Sequence, residues 1–233
     1  TMINLLKFIG LNIKISKKLK TLKISSNKKL KTIAPYNLLK TMRAGVLVLG
    51  PLLAKYKKAK VSLPGGCAIG TRPVNLHLFA LEKLGAQIKI KNGYIYASAK
   101  NGLKGNIIKF PSISVGATEN AILAAVSAKG KTIISNCAIE PEIQDMISFL
   151  KKLGCNIRFV GKRKILIIGT KEFNSTSHEI IFDRIELGTY LIAAALVGKK
   201  IVFLKIKPNV IETEIRLLKK MGVRMKVDKN KIT

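Results

Sequence analysis

The ten residues LEKLGAQIKI at positions 81–90 decide the fold. They indicate the end of a helix, then Gly85 where a helix commonly ends in a left-handed glycine, and then a strand whose side chains alternate between polar and apolar. A turn leads from this strand into a second strand at residues 94–98. The stretch therefore predicts a helix, a capping glycine and two consecutive strands.

This pattern occurs four times along the chain. Its capping glycines are Gly10, Gly85, Gly154 and Gly222, at intervals of 75, 69 and 68 residues. A nearly fixed period of this length indicates an internal repeat. The other copies comprise a helix over residues 2–9 with strands at 11–16 and 20–25, LKKLGCNIRF at 150–159 with a strand at 165–168, and LKKMGVRMKV at 218–227.

The other half of each unit recurs as well. A helix rich in small residues leads through a Lys/Gly break into a strand, at residues 42–54 and 59–63, 117–128 and 132–135, and 185–196 and 201–204. Each unit is therefore strand-helix-strand-helix-strand-strand. We predict an α/β protein with two full units, one unit without its opening elements and one clipped unit. One unit cannot cover its own apolar helix face, so several units must pack together. The alanines of two of these helices should lie inside: Ala121, Ala124, Ala125, Ala193, Ala194 and Ala195.

The composition favours a globular protein and disfavours several other classes. Hydrophobic residues make up 48% of the 233 residues, and the apolar run at 44–54 is too short to cross a bilayer. We find no cleavable signal sequence and expect a cytoplasmic protein. Three cysteines without metal-ligand spacing predict neither a disulfide framework nor a metal site. Cys137 and Cys155 are expected to be core residues.

The net charge of +31, taken alone, indicates nucleic acid as a binding partner. However, the lysines are spread along the whole chain, and aromatic residues make up 6% with no Trp, so platforms for base stacking are scarce. Lysine, isoleucine and asparagine have AT-rich codons, so we interpret the charge as drift in an AT-rich genome. Nucleic-acid binding is therefore disfavoured as the main role.

A glycine-rich loop follows the strand predicted at 59–63. Its sequence is PGGCAIGTRPVNLH at residues 64–77, and a helical run from 78 to 84 follows. Glycines let a ligand approach the backbone closely, and exposed amides beside a helix start favour anions. Cys67 lies five residues before Arg72, and a nearby cation lowers the pKa of a thiol. The alternative is a tight turn with a buried cysteine, but the glycines and Arg72 favour a functional loop.

Several motifs extend this interpretation to the whole chain. They are PGGCAIG, RPV and LH within residues 64–77, LKTMRA at 39–44, SVGATEN at 114–120 and DRIELGTY at 183–190. Together they resemble the UDP-N-acetylglucosamine enolpyruvyl transferases, whose catalytic loop carries the first of these motifs.

The resemblance implies an inside-out α/β barrel, incomplete in this chain. The family has two domains, each of three units around a central helix cluster, with the active site between the domains. Residues 1–181 would form most of the catalytic-loop domain without its opening strand and helix. Residues 182–233 would form the truncated first unit of the second domain.

The resemblance also implies a reaction. The enolpyruvyl group of phosphoenolpyruvate would be transferred to UDP-N-acetylglucosamine with release of phosphate, which is the first committed step of peptidoglycan synthesis. Cys67 would protonate the methylene carbon while a sugar hydroxyl attacks C2, and it could become covalently attached to phosphoenolpyruvate. The expected partners are these two small molecules, with no cofactor, no metal and no membrane.

Further residues match substrate-binding positions of that family. Arg43 is implicated in the nucleotide-sugar site and Arg72 in that site and near phosphoenolpyruvate, although an arginine in so basic a chain is most often a solvated surface group. Asn75 stands where the family usually has Asp, so it can hydrogen-bond but carries no charge. Two segments complete the predicted site: Pro73, Val74, Asn75, Leu76 and His77 at the uracil and sugar, and Ser112, Ile113, Ser114 and Val115 near the diphosphate and uridine. His77 could equally be structural, and Ser114 could be an ordinary helix cap.

Three functions remain open from the sequence alone. The family's pocket also uses a Lys-Asn pair near the start of the chain and groups from the later second domain, and no motif here matches them. The chain could be a fragment of an active transferase, a degenerate remnant that at most binds the nucleotide sugar, or a basic protein that binds nucleic acid or a membrane surface. An incomplete second domain should also expose an apolar face.

Overall fold

A computed structural model describes residues 1–18, 20–26, 29–65, 73–198 and 200–233. The chain divides into two compact units, Thr1–Ser177 and His178–Thr233. The predicted domain boundary after residue 181 lies close to this division, and the assignment of the two parts to two domains stays a prediction. None of the helices in the described ranges is both long and apolar enough to cross a membrane.

The first unit opens with a helix and a hairpin. Helix α1 is Met2–Ile9, and strands β1, Asn12–Ser16, and β2, Thr21–Ser25, pair antiparallel. Leu5 and Ile9 of α1 are buried. These elements match the copy of the pattern that was predicted nearest the start of the chain.

The first complete repeat follows. Its elements are β3 Ile33–Ala34, α2 Tyr36–Leu39, a 3₁₀ helix Arg43–Val48, α3 Leu49–Tyr56, β4 Lys58–Ser62, α4 Asn75–Lys83, β5 Gln87–Lys91 and β6 Tyr94–Ser98. The strands form one sheet in the order β3-β4-β6-β5. Strand β3 is parallel to β4, and the other neighbours are antiparallel.

The prediction of one helix over residues 42–54 is wrong in its first half, which forms the 3₁₀ helix. Gly45 lies against α2, and a Cβ atom there would lie 2.7 Å from Cγ of Leu39. Glycine and the β-branched Val46 and Val48 favour an α-helix only weakly. The tight approach to α2 and this composition together explain why the α-helix begins at Leu49.

The second complete repeat has the same topology. Its elements are β7 Ile107–Lys109, α5 Val115–Ala125, β8 Lys131–Ser135, α6 Pro141–Lys152, β9 Asn156–Gly161 and β10 Lys164–Ile168. The sheet order is β7-β8-β10-β9, again with the first two strands parallel and the others antiparallel. The predicted unit of strand-helix-strand-helix-strand-strand is confirmed in both repeats.

All four capping glycines adopt left-handed backbone angles. Their φ values are 116° at Gly10, 92° at Gly85, 93° at Gly154 and 92° at Gly222. At each one, the glycine amide donates to the carbonyl three residues earlier, and the next amide donates to the carbonyl five residues earlier. This Schellman geometry ends each helix as the sequence predicted.

Helices form the interior of the first unit. Helix α5 packs against α3, α4 and α6, and seven of its residues are buried. Ala121, Ala124 and Ala125 are among them, as predicted. The sheets present lysines such as Lys58 to solvent on their outer faces. Elsewhere in the core, Cys137 and Cys155 are buried as predicted, and burial raises the pKa of both thiols.

The second unit is a smaller repeat. Its elements are α7 Arg184–Val197, β11 Phe203–Leu204, a 3₁₀ helix Pro208–Ile211, α8 Glu212–Lys220, β12 Val227–Asp228 and β13 Lys231–Ile232. The strands form a sheet in the order β11-β13-β12. The carboxylate of Asp183 caps α7 by accepting the amides of Ile185 at 2.8 Å and Glu186 at 3.1 Å.

Two predictions for the second unit are wrong. Ala193 and Ala195 are exposed and Ala194 is half-buried, because the small core around Leu187 and Leu191 covers only one face of α7. The strands predicted at 201–204 and directly after Gly222 are reduced to two residues each. Strands β11 and β12 each pair with the two residues of β13, which leaves little backbone pairing to extend them.

Candidate active site

The predicted site surrounds the segment between β4 and α4. Residues 66–72, which include Cys67 and Arg72, lie outside the described residues. The residues that flank this segment are described. Both flanks contact the stretch that joins α2 to the 3₁₀ helix, at residues 39–43.

Gly65 forms the first flank. Its amide donates to the carbonyl of Leu39 at 3.4 Å. A Cβ atom at position 65 would overlap the carbonyl of Lys40. The close approach of two backbone segments therefore requires a glycine here.

Arg43 holds the second flank. Its Nη2 atom donates to the carbonyl of Pro73 at 3.3 Å. Its Nη1 atom is buried and has no hydrogen-bond partner among the residues that the structure describes. A guanidinium carries five N–H donors in a rigid fork that suits carboxylates and phosphates. Arg43 is thus oriented by the loop flank, and Nη1 could donate to an anionic ligand.

Helix α4 begins inside the predicted substrate segment. Val74 is its N-cap residue and Asn75 its first residue. Pro73 and Asn75 are exposed, Leu76 is half-buried, and Val74 and His77 are buried. The amide side chain of Asn75 is therefore accessible to a ligand.

His77 belongs to a buried polar cluster. The residue is 3% exposed, and its Nδ1 atom lies 3.3 Å from Nδ2 of Asn120 on α5. Asn120 is fully buried; its Oδ1 accepts the amide of Gly50 at 2.9 Å, and its Nδ2 donates to the carbonyl of Val46 at 3.3 Å. Burial, with a smaller contribution from the charge of Arg43, lowers the pKa of His77 to about 4. His77 is therefore neutral at pH 7.

The start of α5 has backbone amides that precede the first hydrogen bond within the helix. The hydroxyl of Ser114, the N-cap residue, accepts the amide of Ala117 at 3.3 Å. The first hydrogen bond within the helix runs from the amide of Thr118 to the carbonyl of Ser114 at 3.0 Å. The amides of Val115 and Gly116 precede that bond and lie at the positive end of the helix dipole. Together with the exposed Ser112 and Ile113 just before the cap, this arrangement suits an anion.

The starts of α4 and α5 lie side by side. A Cβ atom at Gly116 would lie 3.1 Å from Cε1 of His77. This contact brings the predicted segments 73–77 and 112–115 together, and the hydrogen bond from Arg43 to Pro73 adds the third predicted element. That these residues bind substrate stays a prediction.

The sequence did not indicate a role in the site for Gly50 or Asn120. The one signal for Asn120 was its place at the end of the SVGATEN motif, as a polar residue entering a run of small and apolar side chains. Within the described part of the chain, no group of three or more His, Cys, Asp or Glu side chains is placed to hold a metal ion.

A sequence profile of the family described as EPSP synthase (3-phosphoshikimate 1-carboxyvinyltransferase) matches residues 1–233. The chain belongs to the EPSP synthase family.

Two relatives of this member of the EPSP synthase family bear the name of the enzymes that the loop motifs resemble. UDP-N-acetylglucosamine 1-carboxyvinyltransferase of Pelagibacter ubique is 56% identical over 232 residues, which are 100% of this chain and 55% of that protein. The protein of the same name from Endomicrobium trichonymphae is 50% identical over 233 residues, with the same two coverages. The chain therefore spans about half the length of these relatives. The resemblance to UDP-N-acetylglucosamine enolpyruvyl transferases is confirmed.

Solved structures with the same fold include enolpyruvyl transferases. The enolpyruvyl transferase NikO from Streptomyces tendae matches with a TM-score of 0.78 at 19% identity, over 98% of this chain and 55% of that one. EPSP synthase from Acinetobacter baumannii matches with a TM-score of 0.70 at 19% identity, over 99% of this chain and 54% of that one. These matches confirm the predicted α/β fold. The described strands form four separate sheets, and none of them closes into a barrel.

Proposed function

We propose that this member of the EPSP synthase family acts in the transfer of the enolpyruvyl group of phosphoenolpyruvate to UDP-N-acetylglucosamine, the first committed step of peptidoglycan synthesis. The observation that carries the proposal is 56% identity, across the whole chain, to a protein named for this reaction. The motif residues around Cys67 support it. The comparisons do not favour the alternative of a basic protein that binds nucleic acid.

The proposed chemistry exchanges one C–O bond for another at C2 of phosphoenolpyruvate. The Cys67 thiol gives its proton to the methylene carbon while a sugar hydroxyl adds to C2 and loses its own proton to a base. The Cys67 thiolate then takes a proton back from the new methyl group while the bond between C2 and the phosphate oxygen breaks, which releases phosphate and leaves an enolpyruvyl ether. Alternatively, the Cys67 thiol adds across the double bond, with its sulfur on C2 and its proton on the methylene carbon, and so holds phosphoenolpyruvate covalently. These proton transfers account for every bond made and broken, so we expect no cofactor.

The start of α5 is proposed to bind the diphosphate of the nucleotide sugar. Its support is the pair of amides at Val115 and Gly116, together with the exposed hydroxyl of Ser112, at the positive end of the helix dipole. Ile113 and Ser114 lie in the same segment, which we assign to the uridine side of the site.

The segment before and within the first turn of α4 is proposed to contact the uracil and the sugar. Its support is the exposure of Pro73 and Asn75 and their place directly after the loop. Arg43 is assigned to the nucleotide sugar because its buried Nη1 atom has donors that no described residue uses. Arg72 is assigned to the same site and to the anionic groups of phosphoenolpyruvate, following the motif.

Phosphate release from phosphoenolpyruvate and UDP-N-acetylglucosamine tests the proposal. We expect release by the chain and a loss of at least about 100-fold in Cys67→Ala, because general acid catalysis typically contributes that much. Cys137→Ala is the matched control, since Cys137 is buried in the core and should affect stability but not release.

Two outcomes would contradict the proposal. Release that survives Cys67→Ala unchanged would rule out the acid role of that thiol. An absence of release by the unaltered chain, together with no heat in calorimetry with UDP-N-acetylglucosamine, would leave this chain without the proposed activity.

A further inference from the structure

The side chain of Asn120 connects its own helix with three other helical elements inside the first unit. It projects from α5, and its Oδ1 accepts the amide of Gly50 on α3 at 2.9 Å. Because the oxygen must face that N–H donor, the orientation of the amide group is fixed. Its Nδ2 then faces the carbonyl of Val46 and the Nδ1 of His77, each at 3.3 Å. The polar atoms of this buried amide therefore have partners on three different elements.

This arrangement determines the tautomer of His77. An amide NH₂ group can only donate, so Nδ1 of His77 accepts and the ring proton resides on Nε2. A proton on Nδ1 would place two donors against each other. Asn120 thereby selects both the protonation and the ring orientation of a residue in the first turn of α4.

The 3₁₀ helix Arg43–Val48 is linked by hydrogen bonds to both ends of segment 73–77. Arg43 and Val46 both lie on it. Arg43 donates to Pro73, while Asn120 joins Val46 to His77. The segment from Pro73 to His77 is therefore held by hydrogen bonds at its first and its last residue.

Building on the function proposed above, we propose that Asn120 is a positioning residue that fixes segment 73–77 in the geometry that binds the nucleotide sugar. It acts through His77 and Val46 and touches no substrate itself, because it is fully buried.

No other common side chain reproduces these contacts. Aspartate would still accept the amide of Gly50 but could not donate to Val46 or to the neutral Nδ1 of His77. Leucine would leave these buried polar groups without partners, which is costly in a protein interior.

Asn120→Asp is nearly isosteric and tests the proposal through His77 directly. The chain has two histidines, so His178 serves as a reference signal in ¹⁵N spectra of the imidazoles. In the unaltered chain we expect His77 to carry its proton on Nε2 near neutral pH. In Asn120→Asp we expect a proton on Nδ1, because a carboxylate oxygen now faces that atom and only accepts.

The same variant should loosen the start of α4 and weaken binding. The amides of His77 and Leu78 donate to the carbonyl of Val74 at 3.0 and 3.2 Å. We expect hydrogen exchange of these amides to become about tenfold faster and the Kd for UDP-N-acetylglucosamine to rise about tenfold, as expected when a buried hydrogen bond is lost.

Asn136→Asp is the matched control. Nδ2 of Asn136 donates to the carbonyl of Phe110 at 2.9 Å, so the variant removes a comparable bond elsewhere in the same unit. We expect it to leave the His77 tautomer, the exchange at α4 and the affinity unchanged.

Several results would overturn the positioning role. They are a ring proton on Nδ1 of His77 in the unaltered chain, an unchanged tautomer in Asn120→Asp, and equal effects of Asn120→Asp and Asn136→Asp on exchange at α4.

If Asn120→Asp fails to fold, Gly50→Ala replaces it, because the added Cβ would overlap Oδ1 of Asn120 and displace the amide. If no form binds UDP-N-acetylglucosamine, the proposed function fails for this chain, while the tautomer and exchange measurements still decide the role of Asn120.

Discussion

At the scale of single residues, His77 makes the stability of the first unit depend on pH. Its pKa is about 4 in the folded chain, against an ordinary value of 6.5, because of burial and the charge of Arg43. Between these two values the unfolded chain binds a proton that the folded chain does not, so the free energy of unfolding rises with pH. The contribution is complete above about pH 6.5 and is lost as the pH falls towards 4.

We therefore expect His77→Asn to have a shallower pH profile of stability. Between pH 7 and pH 5 the unaltered chain should lose about 2 kcal/mol more unfolding free energy than the variant, from the proton uptake of His77 alone. Urea unfolding at the two pH values measures this difference. Identical pH profiles for the two proteins would contradict the low pKa.

Gly65 provides a second prediction at this scale. Gly65→Ala would push a methyl group into the backbone carbonyl of Lys40, so we expect a loss of about 2 kcal/mol in unfolding free energy. Gly161→Ala is the control, because in the described part of the chain the nearest atom to its Cβ would be Cβ of Lys164 at 3.5 Å, an ordinary contact. Urea unfolding measures the unfolding free energy of both variants. Equal values would show that the contact between position 65 and Lys40 does not exclude a side chain.

The candidate site was predictable from the sequence only where a motif marked it. Arg43 and the segments 73–77 and 112–115 came from motifs, and the structure places them next to one another. Asn120 could not be assigned a role, because its partners Gly50, Val46 and His77 are 70, 74 and 43 residues away in the chain. No local pattern reports hydrogen bonds over such separations.

At the scale of elements, the capping glycines can be tested individually. Gly85 has a φ of 92°, and apart from its chain neighbours no atom of the described residues lies within 4 Å of the position of its Cβ. The cost of a side chain there is therefore purely conformational. We expect Gly85→Ala to lose about 1 kcal/mol of unfolding free energy and Gly85→Asn to lose less, because asparagine tolerates the left-handed region better.

Thermal or urea unfolding of the two variants provides the comparison. Equal losses for alanine and asparagine would mean that the cap is not limited by backbone conformation. A loss near zero for both would mean that the Schellman turn at Gly85 contributes little to the stability of the first unit.

Helices and strands were predictable where their backbone geometry requires particular residue types. The glycine caps and the hairpins that follow them were predicted because left-handed φ angles and alternating side chains leave a direct mark on the sequence. The 3₁₀ helix over Arg43–Val48 was missed because its cause is the packing of Gly45 against Leu39 on another element. Likewise, strands β11 and β12 are short because each pairs with the two residues of β13. The sequences of β11 and β12 do not indicate how long their partner strand is.

At the scale of the whole molecule, net charge and exposed apolar surface act against each other. Helix α7 exposes Ile192, Leu196 and Val197, the last two by 79% and 86%. Apolar surface favours self-association, whereas a net charge of +31 opposes it. Salt screens the repulsion between charges but not the apolar attraction. We therefore expect self-association to increase with salt, as measured by sedimentation velocity.

Leu196→Lys should reduce this association at every salt concentration. Ile180→Lys is the control, because Ile180 is 76% exposed, lies outside α7 and undergoes the same change of charge. If both variants reduce association equally, added charge alone explains the effect and the face of α7 is not the contact surface.

The general architecture was predictable because the repeat occurs four times with nearly constant spacing. The burial of Ala121, Ala124 and Ala125 was also predictable, since α5 packs among neighbouring helices of its own unit. The same reasoning failed for Ala193 and Ala195, because the burial of a helix face depends on how many elements its unit supplies. That number is a property of the assembled unit and is not contained in the pattern of one helix.

The central position of α5 has a consequence for the chain as it is being made. Helices α3 and α4 both pack against α5, but α5 follows them in the sequence and is finished only at Ala125. The first four-stranded sheet is already synthesised at Ser98. At ~5–20 residues per second, the apolar face of α4, complete at Lys83, is made about 2–8 s before α5 is finished, and that of α3, complete at Tyr56, about 3–14 s before. Apolar surface that is exposed during this interval favours misassembly of the nascent chain.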